Sequence, residues 1–308
     1  MSVYRERPPG VRALAPWVPC TWVRVAAPGP ALITPDGCVD LYHADGRLSV
    51  AGPDTSARLA AAAPGTVFAG VRLRAGAAAL LLGDVPPAEI RDSQPDLDRL
   101  WSPAEAVALT EAVALTEAVA LTEAVALTEA VALTEAVARA RSGTGDGTRS
   151  RSGARSGTGA RTGTAARVGA GTPGGTAARA VPPATGEGGG WAVAGALERA
   201  LAVRLRGFLP DPAVLRVVAA LDGPHPPSLT ALATGLGLSE RQLRRRVTDA
   251  VGYGPRTLHG VLRFRRALDR ARTGAAWPDV AVHAGYSDQP HLAREFRRWS
   301  GRTPTALR

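Results

Sequence analysis

Leu232-Ala233-Thr234-Gly235-Leu236-Gly237-Leu238-Ser239 and Val280-Ala281-Val282-His283-Ala284-Gly285-Tyr286-Ser287 are two copies of one pattern, and residues 228–308 are built around them. The first copy continues to Val247, Gly252 and Pro255, the second to Phe296, Gly301 and Pro304. The offset is 48 residues up to the Ser and 49 beyond it, so the second copy has one residue inserted after its Ser. In each copy an apolar-periodic run ends at a Gly, which can take the left-handed conformation that stops a helix. The Ser that follows stands at a natural N-cap position. Two helix-turn-helix units in tandem are therefore expected.

The helix after Ser239 places Leu243 and Val247 four apart on one face, which turns Arg241, Gln242, Arg244 and Arg245 outward. After Ser287, Leu292 and Phe296 pack, while Gln289, His291, Arg294 and Arg298 project. Pro290 falls in the first turn, where proline is tolerated. Both helices thus expose side chains of the kind that contact base edges and phosphates.

Gly285-Tyr286-Ser287-Asp288 followed by Leu292, Phe296, Gly301, Pro304 and Arg308 resembles the signature of the AraC/XylS family of bacterial transcription regulators. The first unit is similar to the other half of that signature, the resemblance spans residues 212–308, and Pro210-Asp211-Pro212 starts the first helix of this part, through about Leu221. It implies a seven-helix DNA-binding domain whose two units are joined by a long helix, here Pro255 to Arg272. Val247, Leu292 and Leu307 stand where the family commonly has aromatic residues, all at core positions. The resemblance implies helices entering successive major-groove segments about 34 Å apart. Arg241, Gln242, Arg245, Gln289, His291 and Arg294 are then the candidates for base edges, Arg pairing with guanine and Gln with adenine. Arg244, Arg246, Arg263, Arg297 and Arg298 are candidates for phosphates, and Glu240 and Asp288 complete the DNA-binding set. Double-stranded DNA is the expected partner. RNA polymerase, a small-molecule effector of unknown identity and a second copy of the chain are further candidates. A cytoplasmic, non-enzymatic regulator without cofactor or metal is the expected whole.

Charge divides along the chain. Residues 1–138 hold 10 Arg against 16 acids, whereas residues 211–308 hold 16 Arg against 8 acids, within a total of +10. An acidic front and a basic back point to nucleic acid as the partner of the back. All 37 basic residues are Arg, which together with abundant Ala, Gly and Pro reflects G- and C-rich codons. The choice of Arg over Lys is therefore no evidence for bidentate recognition. No stretch has the eighteen uncharged apolar residues of a membrane span, and residues 1–10 do not read as a signal peptide. Cys20 and Cys38 read as buried small residues in a reducing compartment.

Residues 16–101 read as a compact β-rich domain. The runs 20–25, 38–42 and 66–73 alternate with turn signals such as Pro35-Asp36-Gly37, Ala44-Asp45-Gly46 and Gly52-Pro53-Asp54, and a short helix is expected over 77–82. Pro35-Asp36-Gly37-Cys38-Val39-Asp40-Leu41 with Gly70-Val71-Arg72-Leu73-Arg74-Ala75-Gly76 resembles the degenerate, cupin-type sensor domain of a subset of AraC-type regulators. His43 is the only His before residue 225, too few for a cupin metal site. Asp36, Asp40 and His43 could be read as an acid–base set, but turn and strand-end roles are favoured. A small-molecule-binding or enzymatic front domain tethered to DNA is the alternative function. Of the enzymatic readings, alkyl-transfer repair would need more cysteines than two.

From Glu105 the sequence repeats Glu-Ala-Val-Ala-Leu-Thr five times. Its six-residue period carries Val and Leu round three faces of a helix rather than along one stripe. Ala, Leu and Glu favour helix nonetheless. Residues 139–190, rich in Gly, Ser, Thr, Arg and Ala, offer little apolar surface to offset ordering entropy and are expected to be disordered. The expected fold class is α+β. It comprises a β-rich, degenerate cupin-like domain over 1–104, a repeat helix over 105–138, the linker over 139–190, a connecting helix over 191–210 and an all-α domain with two helix-turn-helix units over 211–308.

Overall fold

The computed structural model describes residues 3–142 and 187–307, with side chains described over 3–135 and 187–307. It is an α+β structure. Seven strands come first: β1 (Val3–Arg7), β2 (Cys20–Val25), β3 (Ala31–Ile33), β4 (Val39–Ala44), β5 (Arg47–Ala51), β6 (Arg58–Ala60) and β7 (Val67–Leu73). They form a five-stranded antiparallel sheet in the order β1-β2-β7-β4-β5 and a two-stranded ribbon of β3 with β6. β2, β4 and β7 match the expected runs to within two residues. β1, β3, β5 and β6 were not anticipated. Every residue of β1 is exposed, so it lacks the apolar alternation that marks a strand, and β3 and β6 have three residues each.

Alternation gives the sheet two different faces. Val23, Val39, Leu41, Ala69, Val71 and Leu73 lie on one and enter a buried core. Helix α1 (Ala79–Leu82) closes part of that core with three buried leucines. The next helix, α2 (Pro103–Ser142), starts from Ser102, whose hydroxyl donates to Glu105 at 2.6 Å, and inserts Ala106, Leu109 and Val113 into the same core. From residue 121 to 135 its side chains are exposed, including Val125, Leu127, Val131 and Leu133, because the six-residue period offers no single apolar stripe to bury.

Helix α3 (Glu187–Arg204) departs from the expectation of a connecting helix over 191–210. It starts earlier and lies against β2 and β7, with Val193, Leu197 and Leu201 in the sheet's core. The Gly188-Gly189-Gly190 run reads as a helix breaker, but Gly190 permits close approach: a Cβ there would stand 2.9 Å from Val23 and 3.0 Å from Val67. Glu198 is buried on this face and accepts from the Thr21 hydroxyl at 2.6 Å and from the Val11 N–H at 2.8 Å, so its burial is compensated. Of the expected linker, residues 139–142 belong to α2 and 187–190 to α3; residues 143–186 lie outside the described residues.

Six α-helices follow among the described residues, α4 (Pro212–Leu221), α5 (Leu229–Gly235), α6 (Glu240–Val251), α7 (Pro255–Arg272), α8 (Trp277–Ala284) and α9 (Gln289–Ser300), and then a 3-10 turn at Pro304–Leu307. The long helix expected at Pro255–Arg272 and the first helix expected at Pro212–Leu221 form as read. α7 packs against α4, α6, α8 and α9 and is the hub of a second core. Phe264 and Phe296 meet edge to face with centroids 5.0 Å apart. Gly260 admits Trp299, since a Cβ there would be 2.6 Å from the indole. Val247 and Leu292, where the resemblance would place aromatics, are fully buried, and Leu307 packs partly buried against the same core.

Candidate nucleic-acid interface

The two units are wired alike. In the first, Leu238 N–H donates to Ala233 O at 3.0 Å and Gly237 N–H to Thr234 O at 3.1 Å. In the second, Tyr286 N–H donates to Ala281 O at 2.8 Å and Gly285 N–H to Val282 O at 3.1 Å. Both glycines are left-handed, at φ 66° and 78°, so each turn is the paired-bond helix stop that only a residue tolerant of positive φ closes without strain.

Past the turns the wiring diverges. Ser239 caps α6 as part of a capping box: its hydroxyl accepts from the Gln242 N–H at 3.2 Å, and Gln242 Oε1 accepts from the Ser239 N–H at 2.8 Å. The second unit does not use its Ser in this way. Asp288 is the N-cap of α9, accepting from the His291 N–H at 2.6 Å, which moves the cap one residue beyond the Ser287 expected from the sequence. That N–H holds the Asp288 carboxyl below the usual carboxylate range. The inserted residue is therefore the cap itself, and α9 follows α6 at an offset of 49 throughout.

This register pairs Leu243 with Leu292, Val247 with Phe296 and Gly252 with Gly301. It also pairs Arg245 with Arg294. Both are exposed, and among the described residues neither has an ion-pair or hydrogen-bond partner. Arg241, Gln289 and Arg297 are likewise exposed and unengaged. Other expected contact residues are engaged within the protein. Gln242 is turned back into its capping box. Glu240 binds Arg244 through Nε at 3.0 Å and accepts from the Thr230 hydroxyl at 3.0 Å, and these bonds, the Arg244 one foremost, lower its carboxyl pKa. His291 Nδ1 lies 3.1 Å from the Ser287 hydroxyl, with its ring edge-on to Tyr286. Arg246 reaches Asp211 at 3.5 Å, and Arg298 reaches Glu295 at 3.5 Å and lies over Trp299.

Arg263, expected at phosphates, is instead largely covered, 3.5 Å from Glu295 and 4.4 Å above the Tyr286 ring. It braces α7 against α9. The sequence could have signalled this, because Arg263 lies on the same helix as the core residues Leu262 and Phe264 with Glu295 available across the packing. The set Asp36, Asp40 and His43 is not assembled. Strand alternation sends Asp40 to the face opposite His43, where Arg72 binds both of its oxygens at 3.0 Å and Asp36 at 3.4 Å. His43 sits buried on the core face, 3.4 Å from Glu117. Cys20 and Cys38 are both buried and free, and burial pushes the Cys20 thiol up to about 12.

Residues 232–308 match a family model described as a helix-turn-helix domain, and residues 6–96 match one described as a domain of unknown function. No curated protein matches the chain. Among solved structures, the chain is similar to the C-terminal domain of AraT, a response regulator from Geobacillus stearothermophilus, at 22% identity and a TM-score of 0.30, covering 32% of this chain and 84% of that one. It is also similar to a DNA-binding transcriptional dual regulator from Escherichia coli K-12, at 25% identity and a TM-score of 0.28, covering 31% of this chain and 94% of that one. The family match and the doubled wiring define a DNA-binding protein. Residues 232–308 of the chain are a helix-turn-helix domain.

Proposed function

We propose that α6 and α9 enter successive major-groove segments of one duplex and that Arg245 and Arg294 are the paired base readers. The supporting observation is their equivalence: the same position on the two matching helices, exposed and, among the described residues, without an ion-pair or hydrogen-bond partner, in a domain where Arg244, Arg246, Arg263, Arg265, Arg266, Arg272 and Arg298 are tied to carboxylates. Arg241 and Gln289 are further base-edge candidates, Arg297 and Arg298 phosphate contacts. Gln242, His291, Glu240, Arg244 and Asp288 act first by fixing the two helix starts and only through them on DNA. The partner is double-stranded DNA. RNA polymerase and a second copy of the chain follow from the family resemblance, as does a cytoplasmic, non-enzymatic role. Among the described residues no helix is long and apolar enough to cross a membrane.

Selection of bound duplexes from a random pool with the full chain tests this reading. Two conserved half-sites about one helical turn apart are expected, and R245A and R294A should each relax a different half. Loss of preference in the same half for both variants, or in neither, would overturn the assignment.

A further inference from the structure

One short strip of the β-rich part, residues 52–57, reaches the C-terminal ends of both α6 and α9. At the end of α6, Gly252 takes φ 92°, and a Cβ there would stand 3.0 Å from the Pro53 ring and 3.0 Å from the Pro87 backbone. Arg91 also donates to Gly252 O at 3.3 Å. At the end of α9, Trp299 O accepts from the Ala57 N–H at 2.8 Å. Pro53 and Ala57 are neighbours in the same strip, so one piece of chain ties the first helix-turn-helix unit to the second.

The strip is itself held at several points. Gly52 N–H donates to Ser93 O at 3.0 Å, and its backbone leaves no room for a Cβ beside Ile90 O. The Thr55 N–H and hydroxyl both donate to the Asp92 carboxylate, at 2.5 and 2.6 Å. Asp92 keeps a left-handed φ of 54° to receive them, a conformation uncommon for a residue with a Cβ. Residues 52–55 are thereby stapled to residues 90–93, which follow directly on the Pro87–Ile90 turn that packs against α6. Pro53, Pro87 and Arg91 grip the first unit and Ala57 the second, from a single braced body.

Within the C-terminal core α7 packs against both α6 and α9. Helices packed on a shared neighbour can slide by about 1–2 Å, and a brace fixed to both of their ends opposes that sliding. The separation matters for reading, because one added base pair moves a half-site by about 3.4 Å along the duplex and by about a tenth of a turn around it.

We propose that residues 52–57, backed by 87–93, set the separation of α6 and α9 and so select the half-site spacing that the protein accepts. Pro53, Ala57 and Arg91 are then positioning residues for sequence reading that act through the two helices. The inference rests on the DNA-reading proposal above and adds a specificity role for the β-rich part that needs no ligand.

Titration of the full chain with duplexes carrying its two selected half-sites at the selected spacing, and at one base pair more or fewer, tests this. The parent should prefer the selected spacing. A57P removes the donated N–H and D92A releases Thr55. Each should lower the preference about fivefold, the size of one hydrogen bond, and leave affinity for a duplex with a single half-site at the parental value. A57G keeps the N–H and should keep the preference. A change that only destabilises the fold lowers affinity for all duplexes alike, so the ratio between spacings isolates positioning. Parental spacing preference in both A57P and D92A, or an equal loss in A57G, overturns the inference. Should A57P melt far below the parent, D92A decides. A chain that selects no pair of half-sites at all overturns the DNA-reading proposal instead.

Discussion

The two helix-turn-helix units share their turns and differ in how their second helices begin. At the turns, the same two backbone bonds close on a left-handed Gly in both. At the caps, a neutral hydroxyl with a reciprocating Gln stands in the first unit and a lone carboxylate, one residue later, in the second. Repetition therefore preserved the backbone geometry that orients a reading helix. It did not preserve the side chains that fix where the helix starts.

The turns offer the sharpest way to break the comparison. G285A should destabilise by about 3 kcal/mol or more, since positive φ costs roughly 1–2 kcal/mol for a residue with a Cβ and the added atom would stand 2.3 Å from Pro224 O. G237A meets no atom within 4 Å and should cost only the backbone part, about 1–2 kcal/mol. Equal shifts in denaturation midpoint would show that surroundings do not distinguish the turns. Next in size are the paired arginines: R245A and R294A should each lose about 1–3 kcal/mol of specific over scrambled-duplex affinity with little change in melting temperature. A specificity ratio that stays constant in one of them would break the equivalence of the two helices.

Smaller effects sharpen the caps. S239A should cost about 1 kcal/mol and S287A a few tenths at most, because Asp288 and not Ser287 caps α9. The reverse order in thermal melts would return the cap to the Ser. The smallest effect concerns pH. The Asp288 carboxyl is held below its ordinary value, so its contribution is present above the ordinary carboxylate range and is lost as pH falls through its depressed folded value. D288N keeps a capping oxygen without that titration. The stability difference between parent and D288N should shrink toward zero on acidification, and a difference constant down to pH 3 would deny the carboxylate its role.

Much of this was legible in the sequence where local rules act alone. Gly237 and Gly285, the spacing of Leu243 and Val247, and Pro212 and Pro255 at helix starts each answer to their own few neighbours, so α4, α7 and the doubled turns could be read. Asp288 was mistaken because Ser and Asp are both good caps and sit side by side; which oxygen reaches the N–H is settled by the chain's entry angle. Arg263 was misplaced because a cation reads as surface until Glu295 and Tyr286 are brought over it. The start of α3 was misplaced because residues 187–190 share the Gly-rich composition of the expected linker, whereas packing against Val23 and Val67 needs the glycine at 190.

The sequence by itself determined the repeat, its one-residue insertion, the apolar faces of α6 and α9, and the alternation that separates Asp40 from His43. Each of these depends on periodicity and backbone geometry within a few residues. Tertiary structure decided which arginines stay free, since an ion pair such as Arg246 with Asp211 joins groups far apart in the chain. It also brought residues 52–57 to the ends of both α6 and α9, because Pro53 meets Gly252 and Ala57 meets Trp299 only when distant parts of the chain are folded together.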